Sequence, residues 1–438
     1  MIDIQLIRDE AEKVKSKVAV KQYNPAIVDR VKDLDEKKRV LLHEVEQLRA
    51  EKNKIAKEAS PSASPLPSPS EELYKRGKEI KETLQERETA LTKVEREFEE
   101  ALMQVPNLPA DDVPIGKDES ENKVIRTWGT PREFSFKPKD HLELGEALGI
   151  IDVEKAAEVS GSRFGYLKGD VVLLQFALIQ FVLETLTNRE KVSEIAKSVE
   201  NSTGTPFTPV LPPVIVKSEI MKKMDRFDPV DERYYLEKDD SLLIGSAEHT
   251  LGPLHLNEVF NEKDLPVRYL GYSTSFRREA GTYGKDTRGI FRVHQFDKLE
   301  MESFSLPEHG ESEQKLMVAI QEYLVQHLGI PYQVMSICTG DMGKPDYRQI
   351  DVNMWMPGQN AYRETHTSDY MTDYQSRRLN TKVRIKNETK FVHMNDATAL
   401  AMGRTIIAIL ENYQEADGSV VIPEVLRKWM GKNKITSR

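Results

Sequence analysis

From Ile27 onward, apolar residues return at alternating steps of four and three: Ile27, Val31, Leu34, Leu41, Val45, Leu48 and Ile55, with Lys38 and Lys52 on the two skipped positions. A second run does the same through Leu73, Ile80, Leu84, Leu91, Val94, Phe98, Ala101 and Val105, with Gly77 and Arg87 on the skipped positions. That spacing lays an apolar seam along each of two helices and predicts a coiled coil. At 1.5 Å per residue, about thirty residues per helix give an arm of about 45 Å. Between the runs lies a Pro/Ser tract, Ser60 to Ser70, which cannot stay helical and has little to bury. It should be the exposed tip, so the two helices should run antiparallel.

Past the arm the periodicity changes. Pro106 to about Pro138 is rich in Pro, Asp and Gly and reads as a linker. The expected organisation is therefore an arm over residues 1–110 with its tip at 60–70, a linker over 111–138, and a main domain over 139–438. Within the main domain, His141 to Val153, Asp170 to Thr187 and Ala399 to Tyr413 read as helices, the last with a mostly apolar buried face. Ser241 to Ile244, Tyr269 to Phe276, Ile290 to Phe296 and Gln349 to Met356 read as strands, and Gly281 to Gly289 as a turn or loop. Helices and strands together predict an α+β fold.

Size and charge narrow the possibilities. A chain of 438 residues suits two or three domains and a large core. A net charge of −9 argues against a surface coated in positive charge for nucleic acid, so any RNA contact must come from a local patch. The arm offers one. Arg49, Lys52, Lys54 and Lys57 approach the tip on one helix, and Lys75, Arg76, Lys78 and Lys81 leave it on the other, whereas Glu95, Glu97, Glu99 and Glu100 sit near the base. Charge runs are commonly just solvated faces, but a basic outer half on a projecting arm suits phosphate contacts. Cys338 is the only cysteine, which excludes internal disulfides and multi-cysteine zinc sites and suits a reducing cytoplasm. The longest apolar run, Val171 to Leu183, is interrupted by Gln175 and Gln180 and is too short to span a bilayer. No membrane partner is expected.

The candidate chemistry centres on Phe276 to Glu300. Arg277, Glu279, Arg292 and Glu300 put cations and carboxylates around the loop, which suits a polyanionic ligand that also carries an amine. Phe296 adds a π-face for a base. Ser246 and Glu248 could hold an ammonium, although Ser246 in isolation reads first as a helix N-cap. Glu364 and Thr367 could hold Mg²⁺ through oxygen, although alone they read equally as a polar loop.

These residues also resemble a family. Phe276-Arg277-x-Glu279-Ala280-Gly281, then Asp286-Thr287-Arg288-Gly289, then Arg292-x-His294-Gln295-Phe296-x-Lys298-x-Glu300 is similar to the second class motif of seryl-tRNA synthetases. Asp373-Tyr374-Gln375-x-Arg377-Arg378 and the arm resemble the same family, and Asp170 to Pro213 resembles its first motif, with Val171 to Leu186 and the Pro212-Pro213 strand start at its dimer interface. Three departures stand out: Ser246 replaces Thr, Thr367 replaces Ser, and Asp396 stands where the family has Asn.

The resemblance implies a class II antiparallel sheet flanked by helices, a serine–tRNA ligase using ATP and Mg²⁺, a homodimer, and an arm that binds serine tRNA. It leaves open whether selenocysteine tRNA is charged as well. By the same resemblance, Arg277 bridges the α-phosphate and the serine carboxylate, Glu279 contacts the adenine amine, and Phe296 stacks on the ring. Arg292 and Arg404 neutralise the β- and γ-phosphates, and Glu364 and Thr367 hold Mg²⁺. Glu300 and Glu248, with Ser246, take the ammonium, and Asp396 and Thr398 lie near the serine hydroxyl. Two rivals keep parts of this reading: an amino acid ligase that charges a carrier protein, and a non-catalytic protein on a synthetase scaffold. The arm argues against the first and the joint presence of Arg277, Glu279, Glu364 and Arg404 against the second.

Overall fold

The helical periodicity of the first quarter becomes three helices: α1 (Ile4–Val20), α2 (Ala26–Glu58) and α3 (Glu71–Gln104). The computed structural model describes residues 1–58, 71–279 and 288–437, so the Pro/Ser tip and most of the Gly281 to Gly289 loop lie outside the described residues. The chain forms two compact units, Met1–Leu108 and Pro109–Arg438.

In the first unit, α2 and α3 bury Val31, Leu34, Val45 and Ile55 against Ile80, Leu84, Leu91 and Phe98. Ion pairs Arg49–Glu88, Arg87–Glu44 and Arg76–Glu51 fix the antiparallel direction. Two of the residues that break the heptad sit against the opposite helix. The Lys38 ammonium lies 4.6 Å from the Phe98 ring centre, and a Cβ on Gly77 would sit 3.7 Å from Ile55. At the start of α2 the seam differs from expectation: Val28 is buried and Ile27 only half-buried. Helix α1 was not singled out by the heptads. Its Arg8 clamps the buried Asp35 of α2 with two 2.7 Å hydrogen bonds, which hold that carboxyl below its usual range.

The second unit is built on an eight-stranded sheet. In chain order its strands are β1 (Lys123–Trp128), β2 (Thr208–Val210), β3 (Val267–Phe276), β4 (Gln295–Ser305), β5 (Tyr332–Ser336), β6 (Arg348–Met356), β7 (Ala361–Thr372) and β8 (His393–Ala401). Across the sheet they run β1-β5-β6-β7-β8-β4-β3-β2, antiparallel except for β2 against β3. The helices α5 (Asp170–Leu186), α6 (Gly310–His327) and α7 (Met402–Asn412) supply most of the helical side of the core, with α4 (His141–Ala147) beside α7. Leu299 and Met301 of β4 and Ala397 of β8 point into that core, so the alternate residues of the same strands point to the opposite face.

Four register shifts interrupt the sheet among the described residues, and two of them lie near the end of β8 and the start of β7. One lies opposite Leu299 and Glu300, where β8 has the extra residue Ala399, and one opposite Val352 and Asn353, where β7 has the extra residue Thr365. Bulges re-aim side chains and disturb the ladder locally. From α6, the Gln321 amide donates to the carbonyls of Thr367 at 2.8 Å and Thr398 at 2.9 Å, supporting both strands beside the irregularities.

Several expectations are corrected. The helix expected over Ala399 to Tyr413 begins only at Met402, because Ala399 to Ala401 complete β8. Its apolar content there reflects a strand with a buried core face. The strand expected over Ile290 to Phe296 begins at Gln295 and continues to Ser305, while Ile290 to His294 are irregular. The helix expected to reach Val153 stops at Ala147, and Gly149 adopts a left-handed φ of 69° just beyond. Pro212-Pro213 lies between the strands Thr208–Val210 and Ile215–Lys217 and starts neither. The expected linker contains β1, whose side chains are all exposed, so it carries no burial alternation to read. Among the described residues, no single helix is long and apolar enough to cross a membrane.

One buried ion pair ties β3 to α6. Arg268 of β3 donates to Glu313 of α6 at 2.7 Å and 2.5 Å and also to the Thr205 carbonyl at 2.6 Å, while Asn201 and Ser303 donate to the same carboxylate. Burial pushes the Glu313 carboxyl up, but the Arg268 hydrogen bonds and charge outweigh it and leave it below the ordinary value. Replacing one partner strands a buried charge, which typically costs about 3–5 kcal/mol, whereas replacing both by apolar residues costs much less. Urea denaturation should therefore show Arg268→Met strongly destabilised and Arg268→Met/Glu313→Leu largely recovered. Because the folded pKa is depressed, the pair's contribution is complete above the unfolded value of about 4.3 and fades as pH falls through the folded one.

Candidate active site

The face of the sheet opposite the core carries a cavity of about 210 Å³. Its floor is β4, which alternation turns outward at Phe296, Lys298 and Glu300, flanked by Asp396 and Thr398 of β8 and by Thr367 and Asp369 of β7. Register sets the neighbours: Glu300 lies opposite Thr398, Glu302 opposite Asp396, and Asp396 opposite Asp369. The bulges bring Glu364 and Ala401 onto the same face, and Gly403 and Arg404 follow at the start of α7.

The cavity is polarised. At one end gather Glu248, Glu300, Asp369 and Asp396, all buried. Arg226 reaches into this group, with Nε 3.2 Å from Glu248 and Nη2 3.7 Å from Asp369 and 3.8 Å from Asp396. Lys298 pairs with Glu300 at 2.5 Å. Burial lifts the Glu248 carboxyl, but the Arg226 charge and the His249 hydrogen bond outweigh it and keep it well below the usual carboxylate range. Glu300 is shifted upward by burial and by the Glu248 charge, against Lys298. Asp396 and Asp369 are driven well up, first by burial and then by neighbouring carboxylates. Glu302 behaves the same way and has no hydrogen bond to either oxygen. Burial depresses His249 to about 4, so the ring is neutral. Its Nδ1 accepts from the Gly245 N–H at 3.1 Å, which puts the proton on Nε2, 3.3 Å from Glu248.

At the other end gather Arg277, Arg292 and Arg404. Arg277 donates to the Gly245 carbonyl at 3.2 Å and lies 5.4 Å from the Phe296 ring centre. Its backbone N–H bonds to the His294 carbonyl, and the His294 ring lies 2.9 Å from the Arg277 carbonyl, which fixes the loop base. Arg292 pairs with Glu279 at 3.1 Å, and Arg404 with Glu364 at 2.9 Å. Arg404 and Arg363 both lie over the ring of Phe291, at 4.9 Å and 4.4 Å. Glu364, Thr367 and the buried Asp351, which lies opposite Thr367, form an oxygen-only set. Asp351 is held well above its usual range, first by burial and then by the Glu364 charge. Surplus negative charge on hard oxygen ligands fits Mg²⁺.

Of the site residues expected from the sequence, Glu248, Arg277, Glu279, Arg292, Phe296, Glu300, Glu364, Thr367, Asp396, Thr398 and Arg404 line this one cavity. Ser246 does not line it. It is buried beside Glu300, and the one-turn helix Glu248–Leu251 has Ala247 as N-cap with no side-chain capping bond. Sequence reasoning missed Arg226, Asp369, Lys298, Asp351 and Phe291. Lys298 and Phe291 stood inside the quoted motif. Asp369 shares the alternation of Thr367. Arg226 had no local signal.

The eight basic residues near the arm tip are all exposed. Arg49 and Arg76 also pair with Glu88 and Glu51 across the arm.

Residues 233–413 match the tRNA synthetase class II core domain (G, H, P, S and T), and residues 1–109 match the seryl-tRNA synthetase N-terminal domain. The serine–tRNA ligase of Dictyoglomus thermophilum is 39% identical, over 99% of each chain. That of Pyrococcus horikoshii is 39% identical over 99% of this chain and 97% of its own. The crystal structure of seryl-tRNA synthetase from Pyrococcus horikoshii complexed with ATP superposes with a TM-score of 0.91 at 38% identity over the whole of both chains. Cytoplasmic serine–tRNA ligase from Naegleria fowleri in complex with AMP gives 0.86 at 31% identity, covering 100% of this chain and 99% of that one. Two matching domain families, relatives alike from end to end, and a shared fold agree: the chain belongs to the seryl-tRNA synthetase family.

Proposed function

We propose that this protein is a serine–tRNA ligase that forms seryl-adenylate from serine and ATP and passes the seryl group to the 3′ end of serine tRNA. The observation that carries the reading is the polarity of one cavity, with buried carboxylates at one end and three arginines at the other. A ligand pair with an ammonium at one end and a triphosphate at the other matches that division.

In the first step an oxygen of the serine carboxylate attacks the α-phosphorus. The new P–O bond forms as the bond to the β-phosphate oxygen breaks, and pyrophosphate leaves. A carboxylate is already ionised at neutral pH, so no general base is needed and the site works by positioning and charge neutralisation. Arg277 lies over the Phe296 ring, where it bridges the serine carboxylate and the α-phosphate. Phe296 stacks on adenine and Glu279 accepts from its amine. Arg292 and Arg404 exchange Glu279 and Glu364 for phosphate oxygens. Glu248 and Glu300 take the ammonium, with Ser246 behind Glu300. Asp396 and Thr398 receive the serine hydroxyl. Glu364 and Thr367, with Asp351 alongside, hold Mg²⁺, which supplies further neutralisation of phosphate charge when bound.

The arm serves as the tRNA-binding element, through its exposed tip-proximal cations. A homodimer is supported by α5, which is largely apolar yet leaves Leu173 at 49% and Phe176 at 56% exposed, and by Leu211 at 81%.

The direct test is an amino-acid panel in ATP–pyrophosphate exchange, followed by charging of serine tRNA. Exchange should depend on serine, and a folded wild-type protein that exchanges with no amino acid would overturn the ligase reading. Arg277→Ala should lower exchange by about 10²–10³-fold without loss of fold, since one transition-state donor typically contributes that much. A folded variant within a few-fold of wild type sinks the role given to Arg277.

Thr398→Ala and Asp396→Ala should each narrow the preference for serine over alanine. A buried polar group left unpaired by alanine is what rejects it. Full discrimination in both variants would move the hydroxyl contact elsewhere.

Replacing Lys52, Lys54, Lys57, Lys75, Lys78 and Lys81 with Gln should flatten the salt dependence of tRNA binding by roughly 0.9 in log–log slope for each phosphate no longer neutralised. It should also raise the KM for tRNA and leave serine-dependent exchange unchanged. Equal loss of exchange and charging would make the arm a structural prop.

A further inference from the structure

We propose that Arg226 is a specificity-setting positioning residue: it holds Asp396 in place, with a buried oxygen presented to the ligand, at the amino-acid end of the cavity. The proposal rests on the ligase reading above and deepens it, since it concerns how the same pocket recognises its amino acid.

Arg226 is aimed by its neighbours. It follows the short helix Ser218–Lys223, and Asp225 before it takes a left-handed φ of 58°. The Asp225 carboxylate is anchored on three sides, to Lys344 at 2.9 Å, Arg378 at 3.1 Å and the Tyr374 hydroxyl at 2.7 Å. The Arg226 carbonyl accepts from Arg233 Nε at 3.1 Å. The side chain therefore leaves a fixed corner and enters the acidic cluster.

There its guanidinium faces carboxylates from four separate elements. Glu248 comes from a one-turn helix at 3.2 Å, Asp369 from β7 at 3.7 Å, Asp396 from β8 at 3.8 Å, and Asp346 from the segment before β6 at 3.9 Å. Arg226 acts on all four by charge, since its buried Nε has no hydrogen-bond partner. Asp396 shows the result: it is 3% exposed, and its Oδ2 is buried with no hydrogen-bond partner. That is an acceptor waiting for a donor from a ligand, and the hydroxyl of serine is such a donor. Alanine would leave it empty, the arrangement that gives strong rejection.

Burial and the neighbouring acids push against a charge on Asp396, so a charged Asp396 needs a counter-charge. Glu302 and Asp369, which lie opposite Asp396 on the two flanking strands, are both acids and cannot supply it. Lys298 is engaged with Glu300 at 2.5 Å. Arg226 is the cation within reach of Asp396.

The experiment is steady-state pyrophosphate exchange with the full-length protein and serine or alanine, using Arg226→Met, Arg226→Lys, Asp396→Asn and Arg226→Met/Asp396→Asn, each with a thermal melt. Arg226→Met should raise the KM for serine at least tenfold and cut serine-over-alanine discrimination by a similar factor, with the KM for ATP within twofold. Arg226→Lys keeps the charge and should stay within a few-fold of wild type. The double variant should reverse most of the rise in serine KM caused by Arg226→Met, because the two side chains act as a unit. A serine-dependent wild type with a wild-type-like Arg226→Met, or a double variant no better than Arg226→Met, overturns the proposal while leaving the ligase reading intact. If Arg226→Met does not fold, Arg226→Lys and Asp396→Asn decide: Arg226→Lys with serine KM and discrimination as poor as those of a protein lacking the charge overturns it, and retention by Arg226→Lys supports it. A wild type that exchanges with no amino acid instead removes the ligase reading itself.

Discussion

Buried negative charge is the constraint that organises the catalytic unit. Glu248, Glu300, Glu302, Asp369 and Asp396 crowd one face of the sheet, with Arg226 and Lys298 as the cations among them. Taking ions out of water costs several kcal/mol each, and like charges raise the cost. Packing alone would not select such a cluster, since apolar residues of similar size would make a more stable sheet. The surrounding frame carries the burden: the Arg268–Glu313 pair ties β3 to α6, and the glutamines of α6 satisfy backbone carbonyls at the sheet centre. Stability is given up at the acidic end of the cavity.

The opposite end of the cavity shows the same logic with the sign reversed. Arg292 and Arg404 are held by Glu279 and Glu364. A site that kept three bare arginines together would repel itself. The two carboxylates offset that repulsion and hold the side chains at the cavity wall.

Much of this was legible in the sequence, for physical reasons that differ by region. The heptads announced α2 and α3 because helix pairing imposes a long, strict period, and even the interruptions at Lys38 and Gly77 have a place in the seam. The strand-loop-strand motif brought out Arg277, Glu279, Arg292, Phe296 and Glu300 because they sit close in sequence. What could not be read depends on contacts between distant segments. Arg226 gains its meaning from Asp346, Asp369 and Asp396, more than a hundred residues away. β1 lies at the sheet edge with exposed side chains and reads as a linker. Ala399 to Ala401 read as helix because an apolar, alanine-rich stretch fits a buried strand and a buried helix alike.

The extra residue at Ala399 has a consequence for how the pocket is assembled. Plain alternation from Asp396 and Thr398 would next turn Leu400 toward the ligand, yet Leu400 lies in the core and Ala401 faces the cavity. The bulge thus acts as a phase shifter between two halves of one short segment. Upstream of it the chain lines the acidic end of the cavity, and downstream, through Gly403 and Arg404, the arginine end. Thr365 does the same on β7, between Thr367 and Glu364. The two halves of the site are thus joined by a pair of single-residue offsets in neighbouring strands. Removing either residue would leave the sequence motifs on both sides intact and point them to opposite faces of the sheet. Spelling and phase are separate requirements here, and only the first is visible in a motif.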